Sequence, residues 1–175
     1  MAGSGRQVWT ALRAGFYAAS FVLLWSWFAA AVRPLDRRLG LSLPAFLVPA
    51  GALLAVAGGT LMLACVVVFV CVGRGTPAPF DPPREFVATG PYRFVRNPMF
   101  VGALTTLVGA GLALRSPSIA ALTLVFFIAA HLFVTLHEEP SLERRFGKSY
   151  LGYKASVGRW LPRRTARGQV GGPGG

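Results

Sequence analysis

The stretch PMFVGALTTLVGAGLALRSPSIAALTLVFFIAAHLFVTLHEEP, residues 98–140, decides the fold. It holds two apolar runs, Pro98–Leu114 of 17 residues and Ser118–His137 of 20, parted only by Arg115-Ser116-Pro117. A helix needs roughly 17–25 apolar residues to cross the hydrocarbon core of a bilayer, so both runs qualify, the first barely. So short a connection forces the two into an antiparallel hairpin. The segment Arg93-Phe94-Val95-Arg96-Asn97-Pro98 at the start of one run therefore lies beside His137-Glu138-Glu139-Pro140 at the end of the other.

Two further apolar runs precede the hairpin, Ala14–Val32 of 19 residues and the longer Ser42–Val72. Pro49 and Gly58-Gly59 are the expected bends of the second. The first exceeds the ~7–15-residue core of a cleaved signal and is expected to be a retained helix. Composition agrees: the 175 residues are 54% hydrophobic and only 14% charged, with a mean hydropathy of +0.54. Soluble domains carry about 25% charge, and disordered chains are poor in apolar residues, so both classes are excluded. Gly51, Ala55 and Gly58 share one helix face, as do Gly102, Thr106, Gly109 and Ala110, the pattern of closely packed membrane helices. The predicted fold class is all-α integral membrane: four transmembrane helices, a cytoplasmic loop and a C-terminal interfacial amphipathic helix.

The 18 Lys and Arg outnumber 6 Asp and Glu. Four spans would put the N-terminus, the loop 73–97 and the C-terminal tail on one side, with fourteen of the basic residues. Arg33, Arg37, Arg38 and Arg115 fall on the other. By the positive-inside rule both termini are expected to be cytoplasmic. Trp9 on one side, and Trp25 and Trp27 towards the other, are expected in interfacial belts. In the tail, Leu142, Phe146, Tyr150, Tyr153 and Val157 recur at helical spacing among basic residues. This predicts one basic amphipathic helix on the bilayer surface, or two short ones broken at Gly147 and Gly152. Bases interleaved with apolar anchors suit an anionic bilayer and speak against nucleic acid as a partner. The expected organisation is a helix pair over 1–72, a core over 73–167 and a disordered Gly-rich tail over 168–175.

Glu138 and Glu139 stand at the expected C-terminus of a helix, against its dipole and near the hydrocarbon boundary, where ionisable groups need partners. Either they pair with Arg144 or Arg145, or something cationic binds there. Across the hairpin, Asn97 is a good N-cap and Pro98 a good first helical residue. A helix start attracts an anion, and Arg96 adds a fork for carboxylate or phosphate. The two poles together suit a zwitterionic amino-acid group. His131, seven residues before Glu138, lies within an apolar span, as a functional candidate or a satisfied packing histidine. Two histidines and the cysteines Cys65 and Cys71 make no metal-ligand set, so no metal is expected.

Several stretches, in order, carry a resemblance: GRGTPAPFDPP at 73–83, GPYRFVRNPMFVG at 90–102, Glu138-Glu139-Pro140, Leu142, Phe146-Gly147, Tyr150, Tyr153 and Arg159-Trp160-Leu161-Pro162. Over about residues 73–162 the chain resembles the isoprenylcysteine carboxyl methyltransferase and phospholipid methyltransferase family, most closely its small bacterial members. The resemblance implies a membrane methyltransferase dependent on S-adenosylmethionine. The family motif Arg-His/Asn-Pro-x-Tyr-x-Gly falls on Arg96, Asn97, Pro98, Phe100 and Gly102, with Tyr92 upstream and the paired acids at Glu138 and Glu139. Asn97 stands where eukaryotic members usually have His, and Phe100 replaces the usual Tyr.

For a methyltransferase of this kind we expect the following roles. Asn97, Pro98 and the amides of their turn hold the cofactor's carboxylate or ribose. Glu138 and Glu139 take its ammonium or ribose hydroxyls. Tyr92, Phe100 or Tyr150 face the adenine or the sulfonium. Arg96 or Arg93 orients an anionic head group, and Glu138 or His131 accepts a substrate proton. The acceptor is expected to be a lipophilic small molecule: a carboxylate on a lipidated thiol, an amino-phospholipid or another small lipid. The competing reading is a non-catalytic membrane subunit or lipid-binding protein. Sterol reductases share a related helical core, but the chain carries no Gly-rich dinucleotide fingerprint.

Overall fold

The computed structural model describes residues 2–73 and 87–163. Most of the 73–83 motif and the Gly-rich tail over 168–175 lie outside the described residues. The described elements are α1 (Ala2–Leu39), α2 (Val48–Val68), α3 (Pro98–Ala113), α4 (Pro117–Phe133), α5 (Glu139–Phe146) and α6 (Lys148–Ser156). A 3-10 turn, Ala45–Leu47, leads into α2, and a π turn, Phe69–Gly73, leaves it. Among the described residues no strand forms; Val95 and Gly158 make an isolated parallel bridge. Three helical runs, Ala11–Leu39, Ala45–Val72 and Pro117–Phe146, are long and apolar enough to cross a membrane, and α3 is a shorter apolar helix. The chain is an all-helical membrane protein.

α1 continues past Val32 to Leu39, with Pro34 inside it. It stops where Gly40 takes a φ of +64° and Leu41 N–H bonds the Asp36 carbonyl at 2.9 Å. That is a glycine cap closing the last carbonyls. The extension beyond Val32 carries Arg33, Asp36, Arg37 and Arg38. Trp25 packs on Phe126 of α4 with ring centroids 4.0 Å apart.

α2 is also longer in unbroken helix than its sequence suggests. It passes straight through Gly58-Gly59, and Pro49 sits harmlessly in its first turn. The glycines serve contact rather than bending. A Cβ on Gly58 would come 2.5 Å from the Gly102 carbonyl and from Thr106 Oγ1. One on Gly109 would meet the Gly51 carbonyl at 2.6 Å and run into the Ala55 amide. The backbones of α2 and α3 thus touch, antiparallel, along the two small-residue faces. Gly109→Ala is expected to cost about 1–3 kcal/mol, because the collision is with rigid backbone. A Cβ on Gly59 meets nothing within 4 Å. Gly59→Ala should therefore leave stability level or raise it by about 0.5–1 kcal/mol, read as an equal or higher thermal midpoint in detergent.

One end of the bundle is tied by Asp36, buried at the end of α1. Ser116 Oγ donates to Asp36, Ser118 N–H donates to it at 2.9 Å, and Ser116 caps α4 by accepting from Ile119 N–H at 3.2 Å. Arg115 joins the approach to α2 to the α3–α4 turn, donating through Nε to the Leu43 carbonyl at 2.8 Å.

At the other end α4 does not stop at His137-Glu138-Glu139-Pro140. A π turn, Val134–Glu138, carries it into α5, with Glu139 N–H bonded to the Val134 carbonyl five residues back. Pro140 falls in the first turn of α5, where its missing N–H costs nothing. The two acids therefore lie within a continuous helical run, and no helix end opposes them. Gly147, at φ +52°, parts α5 from α6; Gly152 lies inside α6.

Candidate functional site

The site grows from the residues just before α3. Arg96 N–H donates to the Gly158 carbonyl at 2.8 Å, and Asn97 N–H to the Arg159 carbonyl at 3.3 Å. The Asn97 Nδ2 donates to the same Arg159 carbonyl at 3.3 Å. These bonds dock the segment after α6 against the start of α3. Asn97 occupies the N-cap position but makes no side-chain cap. The first amides of α3 are left open, as helix starts are unless a side chain, water or ligand takes them.

Glu139, only 4% exposed, sits at the centre of a cation cage. Arg96 Nη1 is 2.9 Å from its Oε1. Arg159 grips it with two prongs, Nε to Oε1 at 2.6 Å and Nη2 to Oε2 at 3.0 Å. Lys154 Nζ stands 3.3 Å from Oε2 and also donates to Glu143. The hydrogen bonds to Glu139 hold the Arg159 pKa above its ordinary value. The one to Glu143 does the same for Lys154. The cationic partner foreseen for the glutamate pair is thus, for Glu139, the chain's own Arg96, Lys154 and Arg159 rather than Arg144 or Arg145.

Glu138, one residue earlier and half-buried, is in a different state. Among the described residues no hydrogen bond or ion pair engages its carboxylate, and the charge that acts on it is that of Glu139. Arg96 also has spare capacity: its buried Nε has no hydrogen-bond partner among the described residues.

Tyr150, 2% exposed, braces Arg96 through a hydrogen bond. Tyr92 is also buried; its ring meets Phe69 edge-on at 5.2 Å, and it packs in one cluster with Cys65 and Val87. Burial above all raises both phenols above their usual pKa, with the carboxylate of Glu139 adding to it at Tyr150. Tyr153 donates its phenol to the Tyr92 carbonyl at 2.6 Å, tying α6 to the turn before α3. Tyr153→Phe should lower stability by about 1 kcal/mol, the usual net worth of such a bond, read as a lower thermal midpoint.

Phe100 belongs to an aromatic group, its ring 6.2 Å from Phe126 and 6.4 Å from Trp160. Trp160 Nε1 donates to His131 Nδ1 at 3.1 Å. Pro98 is fully buried. Gly102 faces α2: a Cβ there would approach the Gly58 carbonyl to 2.8 Å, so its place is the helix contact. The structure therefore gathers Arg96, Asn97, Glu138, Glu139 and Tyr150 at one end of the hairpin. It places Phe100 and His131 in the adjoining aromatic group. Arg159, Lys154 and Trp160 complete the site without any sign in local spacing; Arg159-Trp160 stood out only as part of the resemblance. Among the described residues no three His, Cys, Asp or Glu side chains gather to hold a metal ion.

Fold and site together define a helical membrane protein with a buried ion cluster where α3 begins and α4 passes into α5. Residues 48–149 match the family model of phospholipid methyltransferases. The match covers more than half of the chain, and the protein belongs to that family, a family of membrane methyltransferases. No curated protein and no solved structure matches it. Tyr150, Lys154, Arg159 and Trp160 lie just beyond the matched residues.

Proposed function

We propose that the protein transfers a methyl group from S-adenosylmethionine to a lipophilic acceptor, between the start of α3 and Glu138. The observation that carries this reading is the unlike state of the two adjacent glutamates. Glu139 is enclosed by three cations, whereas Glu138 has no partner among the described residues. At the same end of the bundle are the buried, unpartnered Arg96 Nε and the uncapped start of α3. A free carboxylate and free N–H donors at one end of the bundle fit a group that carries both an ammonium and a carboxylate, as the methionyl end of this cofactor does.

When bound, S-adenosylmethionine supplies a methyl group on a sulfonium, open to direct displacement by a nucleophile. The chain's own residues bind and orient. Asn97, the first amides of α3 and Arg96 Nε hold the carboxylate, and Pro98 shapes their turn. Glu138 holds the ammonium. Glu139 and Tyr150 act on Arg96, fixing its guanidinium in place. Tyr92 and Phe100 are the rings for the adenine and the sulfonium. His131 receives the Trp160 N–H on Nδ1 and serves the aromatic group rather than proton transfer. The acceptor class is a lipidated-thiol carboxylate, an amino-phospholipid or another small lipid, arriving sideways from the bilayer. Alignment in a site with little water is the main source of rate.

α3 makes a fourth crossing in this account. Its 16 residues span about 24 Å at 1.5 Å per residue. It joins the bundle end tied by Asp36 to the end tied by Glu139. Both termini and the loop 73–97 then share the cytoplasmic face of a bacterial inner membrane, with α5 and α6 at the interface. A reporter fused to the C-terminus should read cytoplasmic. The direct test incubates the purified protein with methyl-labelled S-adenosylmethionine and host membrane extract, and identifies the product by mass spectrometry. Label in a lipid-soluble product supports the reading; no transfer into any extract component contradicts it.

A further inference from the structure

At the end of the bundle away from Glu138, α1, the approach to α2 and the α3–α4 turn enclose a cavity of about 810 Å³. Arg33, Arg37 and Arg115 line it. Arg33 and Arg37 are one turn apart and share a face of α1. Arg115 is held in place by Leu43 and Ser42. The acid in the wall, Asp36, is already committed: one oxygen receives Ser116 Oγ and the other Ser118 N–H. The cavity therefore presents three guanidinium groups and no free carboxylate among its lining residues.

A second cavity, of about 120 Å³, adjoins it deeper in the bundle. Ser26, Ala29 and Ala110 line both. Its walls are apolar, formed by Phe21, Val22, Trp25, Met62 and Phe126 among others. A basic mouth at a helix end, opening into an apolar crevice between membrane helices, is the shape of a phospholipid.

We infer that these joined cavities bind an anionic phospholipid of the leaflet opposite Glu138. The head-group phosphate lies on Arg33, Arg37 and Arg115, and an acyl chain lies in the crevice. Charge chooses the occupant. A zwitterionic head would bring a cation against three guanidinium groups, and free phosphate would leave the crevice unused. The site is at the far end of α3 and α4 from the proposed methyl-transfer site and does not depend on it.

The test uses the full chain in mild detergent, offered phosphatidylglycerol, phosphatidylcholine or chain-free glycerol phosphate, with retained lipid counted by native mass spectrometry. Phosphatidylglycerol should be retained in preference to phosphatidylcholine, and glycerol phosphate at equal concentration should not displace it. Arg33→Gln/Arg37→Gln should weaken retention roughly fivefold per arginine removed. Ser26→Phe, which fills the throat and leaves every arginine in place, should also lose the lipid. The inference is overturned by equal retention of the two lipids, by undiminished retention in both variants, or by displacement with glycerol phosphate, which would mean a head-group anion site only.

Discussion

Glu139→Gln is expected to cost about 3–5 kcal/mol of stability, enough to remove most folded protein from detergent extracts. The reason is what the carboxylate leaves behind. The Arg96 side chain is 7% exposed and that of Glu139 5%. An amide cannot balance a guanidinium buried to that degree. Breaking a buried pair from one side strands the remaining charge, and the cost of that exceeds the worth of the pair itself. The loss spreads, because Glu139 also holds Arg159, and the backbone at Gly158 and Arg159 is what docks the last segment against the start of α3. Arg159→Gln should be milder, since that side chain is 29% exposed and water can compensate. Thermal midpoints of the two variants in one detergent check the order. A Glu139→Gln protein as stable as the parent would mean the cage is not the anchor described.

Glu138→Gln should have the opposite profile. With no ion pair or hydrogen bond to lose among the described residues, it should leave stability within about 0.5 kcal/mol. Methyl transfer should nevertheless collapse. A carboxylate that holds an ammonium away from bulk water contributes about 2–5 kcal/mol, so the rate at limiting cofactor should fall about thirtyfold or more. Adjacent residues of one type then give two unlike variants, one unstable and one stable but inactive. Rates measured on folded protein only, after size-exclusion chromatography, separate the two effects.

The hairpin was readable in the sequence because two apolar runs joined by Arg115-Ser116-Pro117 have one way to pack. The α2–α3 contact was readable too, because glycines at helical spacing have few other uses in a membrane. The register of the acids was not. A π turn over Val134–Glu138 leaves no mark in hydrophobic periodicity, and Pro140 looks like a stop whether it ends a helix or begins the next. The end of α1 was hidden in a similar way. Arg33, Pro34, Arg37 and Arg38 look like a loop, while the terminating signal is the single Gly40. The division of labour between Glu138 and Glu139 depends on Arg96 and Arg159, one on either side in the chain. Contacts at such separations follow from the packed fold, not from local pattern. Asp36 shows the same limit: only the turn placing Ser116 and Ser118 beside it explains a lone buried acid at a helix end.

The most direct measurement is equilibrium binding of labelled S-adenosylmethionine to the detergent-purified full chain and to folded Glu138→Gln. The account predicts saturable binding by the parent protein and at least about thirtyfold weaker binding by the variant. No binding by the parent protein, or equal binding by both, would contradict it.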